Sequence, residues 1–330
     1  MLFAGILIFI KNICEVIDFN MEHEKPYGGI TPSAVALGNF DGVHIGHRAI
    51  IDAAKREAEK FGGLTLAWTF YGRTKSGTTP LLTTPEYKCE LLRDAGCDDV
   101  VCADFDMYRD YPPERFVREV LVGELGCRVA VCGFNYRFGK GGAGDASLLA
   151  ALMEECGGRA VMLQPVTTKL CGEPGDDDGC REVIVSSSLI RAALAEGRPR
   201  DAAAMLGRPY AVRLPVEQGR RLGRHIGFPT INQRFPEGMI EPRRGVYVCS
   251  CAIGDKVYRG VANIGVRPTV ENSETVTMET HLFGFDGDLY GVEVEVSLLH
   301  FLRPERKFDS VEQLREAIER DAQLAAEYEP

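Results

Sequence analysis

The chain has 330 residues, more than one hydrophobic core usually supports, so its length predicts two domains. Its 38 basic and 48 acidic residues give a net charge of -10. Because no long basic run gathers positive charge on one segment, this balance argues against nucleic acid as a partner.

The N-terminal segment and the cysteines indicate neither secretion nor a membrane anchor. The apolar run 2–10 is too short to span a bilayer and is followed by no small-residue cleavage site. We expect residues 1–20 to be an extra flap or a mis-called start before Met21. The eleven cysteines are scattered and odd in number, and their closest spacings match no standard zinc pattern. We therefore expect free thiols, mostly buried, in a reducing cytoplasm.

Short apolar runs alternate with helical patterns in the first half, which predicts parallel βαβ units. The predicted strands are 34–37, 64–70, 100–103 and 128–132, and the predicted helices are 46–61, 86–95 and 113–125. Ligands of such sheets bind beyond the carboxyl ends of the strands. Residues 38–47 and 133–144 lie at two of these ends.

The second half has the pattern of antiparallel strands. A polar loop at 172–179 and an interrupted helical stretch at 188–206 precede it. Strands are predicted at 245–253, 257–262 and 292–298, the first two joined by a Gly-Asp turn. A last helix begins after Ser310, with Gln313 completing a capping box. Its predicted apolar face consists of Val311, Leu314, Ala317 and Ile318. This half is expected to be a small β-barrel followed by a helix.

Residues 38–47 read GNFDGVHIGH and follow the first predicted strand directly. Glycines let the backbone turn sharply there, and the next helix points free N–H groups at an anion. His44 and His47 are three residues apart, on one side of a helical turn, where imidazoles can bind phosphate oxygens. A zinc site is a poorer interpretation, because the helical metalloprotease pattern needs histidines four apart with a glutamate between them.

This segment closely resembles the H-x-G-H signature of nucleotidyltransferases, in the form found in prokaryotic bifunctional riboflavin kinase/FAD synthetases. The resemblance implies a Rossmann-like parallel-sheet nucleotidyltransferase domain with two catalytic histidines, His44 and His47. The ATP-binding residues that it implies in this loop are Gly38, Phe40, Asp41, Gly42, His44, Gly46 and His47.

Two later segments resemble further nucleotide motifs of the same domain. In 185–191, VSSSLIR, the resemblance assigns ATP phosphates to Ser187, Ser188 and Arg191, although serines there would also suit an ordinary N-cap. In 133–145 it assigns the nucleotide to Asn135, and the alternative is a glycine-rich turn over Phe138. One departure is Phe70-Tyr71-Gly72-Arg73, where the family has Phe-x-Pro-His-Pro near the flavin.

The second half resembles the riboflavin kinase domain of the family. In 223–232, GRHIGFPTIN, the resemblance places ATP phosphates at Gly223 and Gly227, and Mg²⁺ at Thr230 and Asn232, which double as ATP-binding residues. In 278–282, METHL, it makes Glu279 the general base. A plain turn and an exposed strand glutamate are the alternatives. Leu214 and Gly284 depart from the common pattern, and the resemblance covers roughly residues 31–328.

We therefore expect an α/β FAD synthetase domain at 1–200, including the extension, and a mostly antiparallel β-barrel kinase domain with a C-terminal helix at 201–330. The expected reactions convert riboflavin to FMN and FMN to FAD, with ATP, riboflavin and FMN as substrates and Mg²⁺ as the metal. Alternatives are a kinase with a weak or inactive synthetase half, and a non-catalytic flavin-binding protein. We expect a cytoplasmic protein without nucleic-acid or membrane partners, and self-association is left open.

Overall fold

A computed structural model describes residues 31–71, 79–171, 179–219, 227–268 and 274–329. The described chain divides into two compact units. The first comprises the described residues up to Gly38 with 51–69 and 89–162, and the second comprises 39–50, 70–88 and the chain from 163 onward. The second unit therefore contains both the H-x-G-H loop and the C-terminal half of the chain.

The strands and helices follow the predicted alternation in the first half and the predicted antiparallel pattern in the second. The strands are β1 Ser33–Leu37, β2 Leu64–Tyr71, β3 Asp99–Asp104, β4 Cys127–Gly133, β5 Arg137–Phe138, β6 Gly144–Asp145, β7 Arg159–Leu163, β8 Thr167–Leu170, β9 Arg181–Ile184, β10 Tyr210–Pro215, β11 Ile231–Arg234, β12 Gly245–Ile253, β13 Lys256–Pro268, β14 Glu274–Leu282 and β15 Glu293–Arg303. The helices are α1 Ile45–Glu59, α2 Pro85–Asp94, α3 Phe105–Tyr108, α4 Pro113–Arg115, α5 Ala146–Glu155, α6 Ser187–Ala195, α7 Pro199–Leu206 and α8 Val311–Glu327.

A five-stranded sheet in the order β3-β2-β1-β4-β7 forms the centre of the first unit. The central strand β1 pairs in parallel with β2 and β4, which confirms the predicted parallel sheet. All five residues of β1 are buried, as expected for a strand covered on both faces. The predicted helix 113–125 is α-helical only over α4 and continues as a π-helix at Phe116–Glu124, where the Leu125 N–H donates to the Val120 carbonyl.

A six-stranded antiparallel sheet in the order β10-β15-β12-β13-β14-β11 forms the predicted barrel in the second unit. Its end strands β10 and β11 meet through a buried side chain. The amide of Gln233 in β11 donates to the carbonyls of Leu214 and Val294, both at 2.7 Å. A bridge between Glu217 and Asn232 extends this seam, so the sheet closes on itself.

The hydrophobic core of the second unit joins α6 and α7 to the inside of the barrel. Ile190 and Leu194 from α6 and Met205 from α7 belong to the same buried cluster as Met278 and Val296 of the barrel strands. Burial on this scale stabilises each large apolar side chain by about 1.5–3 kcal/mol. The two helices and the barrel are therefore packed around one core.

The C-terminal helix α8 confirms its predicted start but not all of its apolar face. The Gln313 N–H donates to Ser310 Oγ at 3.2 Å, while the Gln313 side chain accepts from the N–H of Asp309, one residue before the cap. Val311 is 56% exposed, so its assignment to the apolar face was wrong. The helix instead buries Asp321, which accepts three hydrogen bonds from Arg303 of β15 at 2.7–3.2 Å.

The expectation of free thiols is wrong for Cys171 and Cys180, which form a disulfide. Cys171 directly follows β8 and Cys180 directly precedes β9. The last register pair of this hairpin is Leu170 with Arg181, so strand pairing places the two cysteines opposite each other. Strand register brings them together, and spacing along the sequence gives no sign of it. Eight other cysteines in the described chain are in the thiol form.

Candidate active sites

The loop 38–44 between β1 and α1, called the phosphate loop after its predicted ligand, contains three residues with positive φ. They are Phe40 at 50°, Gly42 at 81° and Val43 at 41°. A left-handed backbone is unusual for a β-branched residue and persists only where the surroundings enforce it. At Gly42 a side chain would be strained by the positive φ, and its Cβ atom would lie 2.7 Å from a Leu82 methyl group, so glycine is favoured there. The surroundings thus hold this loop in one conformation, which fixes the positions of the histidines that follow it.

The rings of His44 and His47 stack, with centroids 3.5 Å apart and an interplanar angle of 14°. The His47 backbone N–H donates to His44 Nδ1 at 3.2 Å, so the neutral His44 ring carries its proton on Nε2. Burial, with the charge of Arg208, lowers the pKa of His44 to about 4. Burial also lowers the pKa of His47, assisted by His44 and Lys88. Both rings are therefore neutral near pH 7 and can each donate one N–H to a phosphate oxygen.

One ring atom of this pair lacks a partner within the described chain. His47 Nδ1 is buried and makes no hydrogen bond to any described residue. Buried polar atoms are normally satisfied, so an orphaned one beside a glycine turn is consistent with a ligand that completes it.

The structure joins Asp41 of the loop to the predicted second phosphate motif. Ser187 Oγ donates to the Asp41 carbonyl at 2.9 Å, and Arg191 forms an ion pair with the Asp41 carboxylate. That carboxylate also accepts the Leu82 N–H at 2.9 Å. Asp41 and Arg191 therefore hold the loop against α6.

The serine run divides its roles differently from the sequence prediction. The N-cap of α6 is Ser186, whose Oγ accepts the Leu189 N–H at 3.2 Å. Ser187 contacts the loop, as described above, and Ser188 is exposed. The N-cap alternative is therefore confirmed for Ser186, and the assignment of ATP phosphates to Ser187 and Ser188 stays a prediction.

Asn135 lies in an exposed turn after β4, at the carboxyl end of the parallel sheet, where the Tyr136 N–H donates to the Gly133 carbonyl at 3.1 Å. Phe138 lies buried beyond this turn, and a Cβ on Gly144 would come within 2.6 Å of its ring. The turn over Phe138 is therefore present, and its position at a strand end suits a nucleotide contact from Asn135 as well.

In the barrel, three of the polar side chains lie in one row across neighbouring strands. Glu279 of β14 is in register with Asn232 of β11 on one side and with Asn263 of β13 on the other. Asn232 is buried, and a Cβ on Gly219 would come within 2.5 Å of its amide. Asn263 was not predicted as a site residue, since it stands out only once strand register is known.

A cavity of about 480 Å³ lies on the other face of these strands. Its lining includes Thr230, Ile231, Thr280 and the segment 285–290. Side chains alternate along a strand, so Glu279 and Asn232 face away from Thr280 and Ile231. Thr230, just before β11, is among the residues that line the cavity, whereas Asn232 and Glu279 are not, so the sequence-predicted residues do not all line it.

Some predicted residues give less information. Gly227 is exposed with a φ of 88°, while Gly223, Gly72 and Arg73, the extension 1–20 and most of the polar loop lie outside the described residues. No cluster of three or more His, Cys, Asp or Glu side chains that could hold a metal was found in the described chain. Hydroxyl and amide oxygens such as those of Thr230 and Asn232 do suit Mg²⁺, which takes most of its ligands from water and phosphate.

Comparison with known proteins decides the family. The model of the FAD synthetase family matches residues 30–170, and that of the riboflavin kinase family matches residues 206–329. A bifunctional riboflavin kinase/FMN adenylyltransferase of Bacillus subtilis is 34% identical over 309 residues, covering 90% of this chain and 92% of that protein. The Escherichia coli protein of the same name is 33% identical over 301 residues, covering 89% and 92%. The chain belongs to the bifunctional riboflavin kinase/FMN adenylyltransferase family.

A crystal structure described as a macrolide-efflux protein from Streptococcus pneumoniae has the same fold as this family member. Its TM-score is 0.77 at 27% identity, and the match covers 92% of this chain and 97% of that one. No helix in the part of the chain that the structure describes is long and apolar enough to cross a membrane.

The family models leave residues 171–205 unmatched, although the structure places Ser187 and Arg191 there, in contact with the phosphate loop. Residues that the sequence did not point to also hold this loop. Lys88 Nζ donates to the Asn39 carbonyl at 3.3 Å, and Arg208 donates to the carbonyls of Gly42 and Val43 at 2.9 and 3.1 Å. Isolated lysines and arginines carry no motif, so only the structure reveals them.

Proposed function

We propose that this chain makes FMN from riboflavin and ATP in its barrel, and FAD from FMN and ATP at its H-x-G-H loop. Family membership supports this proposal, and the observation that carries it is the neutral, stacked pair His44 and His47 beside a strained glycine turn. We further propose a synthetase domain at 1–200, a kinase domain at 201–330, and a cytoplasmic location, where ATP is available.

In the adenylyl transfer, an FMN phosphate oxygen attacks the α-phosphorus of ATP, the bond to the β-phosphate bridging oxygen breaks, and pyrophosphate leaves. His44 and His47 donate N–H groups to the oxygens on which charge develops, a contribution of the oxyanion-hole type. Their neutrality is an advantage, since a neutral donor needs no proton uptake when the substrate binds. The N–H groups of Ile45 and Gly46 at the start of α1 add donors that no residue within the helix can accept, whereas the His47 N–H already donates to His44 Nδ1.

In the kinase reaction, the ribityl 5′-hydroxyl oxygen attacks the γ-phosphorus of ATP, its proton goes to Glu279, and ADP leaves. Bound Mg²⁺ would neutralise charge on the phosphates during this transfer. Thr230 and Asn232 would hold it with their side-chain oxygens. Asn263, in the same row as Glu279, would orient the carboxylate or the hydroxyl that it deprotonates.

The test is a product analysis with purified protein, riboflavin, ATP and Mg²⁺, in which FMN and FAD are separated by chromatography. Glu279→Gln should lower the FMN rate about 10²- to 10⁴-fold, the usual loss for a general base, while FAD still forms from supplied FMN. His47→Gln should show the opposite pattern, so each variant is the folding control of the other. If the parent protein forms neither flavin nucleotide, the proposal fails.

The second candidate is a kinase whose synthetase half is weak or inactive. The departure at Phe70-Tyr71-Gly72-Arg73 favours it, and Tyr71 itself is 45% exposed at the end of β2. The same product analysis separates the two functions. Formation of FMN without FAD or pyrophosphate would select this candidate.

A further inference from the structure

Arg208 lies in the short connection between α7 and β10. Helix α7 ends at Leu206, and Gly207 follows in the left-handed conformation with a φ of 71°. A Cβ on Gly207 would come within 2.8 Å of Ile45, the first residue of α1. The connection therefore passes directly beside the start of the helix that follows the phosphate loop.

The guanidinium group of Arg208 donates to two consecutive carbonyls of that loop. Nη2 donates to the Gly42 carbonyl at 2.9 Å, and Nη1 donates to the Val43 carbonyl at 3.1 Å. These two residues have positive φ, and His44 comes immediately after them. Such a backbone is kept only when its surroundings hold it, and the planar fork of arginine can hold two acceptors in fixed geometry.

Arg208 is also in contact with groups of the barrel side of the second unit. Its side chain is half-buried, and burial lowers the pKa of its guanidinium, with a smaller lowering from Arg48, while Tyr87 and the negative charge of Glu295 on barrel strand β15 favour the charged form. The buried hydroxyl of Tyr210, two residues further along the chain, donates to the Leu82 carbonyl at 3.0 Å. A continuous set of contacts thus leads from the barrel to the loop.

We propose that Arg208 is a positioning residue for FAD synthesis, holding Gly42 and Val43 so that His44 and His47 meet the ATP phosphates. This inference rests on the proposed function. Arg208 and Glu295 lie in the part of the chain that matches the riboflavin kinase family, whereas the loop lies in the part that matches the FAD synthetase family. The kinase region therefore supplies a group on which the other reaction depends.

The test compares Arg208→Met and Arg208→Lys with the control Arg200→Met, on the half-buried surface of α7. Both reactions are measured in each protein, with kcat and KM determined separately. For Arg208→Met we expect kcat for FAD formation to fall about 10- to 100-fold, because small displacements of a reacting group cost this much. KM for ATP in that reaction and the rate of FMN formation should stay within about twofold to threefold of the parent.

The lysine variant keeps the test valid if the methionine variant does not fold. Lysine retains the charge but is a point donor that cannot bond both carbonyls, so FAD formation should fall about 10-fold while FMN formation is unchanged. Parent-like FAD formation in either Arg208 variant would overturn the proposal, as would equal losses of both activities in the lysine variant. A parent protein that forms no FAD contradicts the proposed function instead, so the two failures are distinguishable.

Discussion

Protonation of His44 should destabilise the folded protein, and the size of the effect follows from its pKa. Burial, with the charge of Arg208, lowers this pKa from 6.5 to about 4, and the side chain is only 7% exposed. A difference of this size corresponds to about 3 kcal/mol, at about 1.4 kcal/mol for each pH unit between the two values. Because the unfolded chain takes up the proton first, this stability is complete above pH 6.5 and is lost as the pH falls toward 4.

The assay is urea unfolding of the ligand-free parent and of His44→Gln at pH 8, 6.5, 5.5 and 4.5. At pH 8 the His44 ring is neutral, so the difference in the free energy of unfolding between the two proteins reports the packing lost with the imidazole. Titrating groups other than His47, whose pKa His44 also lowers, contribute equally to both proteins and cancel. We expect the parent to lose about 2 to 3 kcal/mol more than the variant between pH 8 and pH 4.5. Equal pH dependence in the two proteins would show that His44 is accessible to protons in the folded state and would refute the reasoning.

Three further outcomes are expected. Gly42→Ala should abolish FAD formation and lower the free energy of unfolding by about 1–3 kcal/mol, because alanine would be strained at positive φ and its Cβ would lie 2.7 Å from Leu82. The control is Gly284→Ala, which is also at positive φ but has no neighbour within 4 Å, and it should keep both reactions. Asp321→Ala should lower the free energy of unfolding in urea by about 2 to 3 kcal/mol, because Arg303 keeps its charge but loses three hydrogen bonds. A decrease below about 0.5 kcal/mol would contradict this prediction. Cys180→Ser should lower stability by about 2 to 3 kcal/mol under oxidising conditions, from the closed loop of sequence separation 9, and reductant should remove the difference from the parent.

Much of the fold follows from local pattern. The strand β12 has the predicted bounds, and β1 and β4 differ from prediction by one residue at their ends, because a buried apolar run between turn residues leaves little choice. The cap at Ser310 also needs only local sequence. Helix α5 and strand β7 were not predicted, since their sequences are not distinctly periodic.

What the sequence did not reveal is set by register and by contacts over long distances along the chain. The disulfide depends on how β8 and β9 pair, and the row of Glu279 with Asn263 depends on how β13 and β14 pair. Arg208 reaches the loop from 166 positions away. No motif includes such residues, because their role is defined by the backbone carbonyl that they contact. Every residue has such a carbonyl, so the sequence does not show which one is contacted.

The seam of the barrel at Gln233 has a consequence for how the protein avoids aggregation. Unpaired strand edges are templates on which another chain can add a strand. Here the side-chain amide of Gln233 in β11 donates across the seam to the carbonyls of Leu214 in β10 and Val294 in β15, which ties the two end strands together. A chain cannot add a strand between β10 and β11 while they are tied together, so we expect a nonpolar residue at position 233 to expose this seam to intermolecular strand addition.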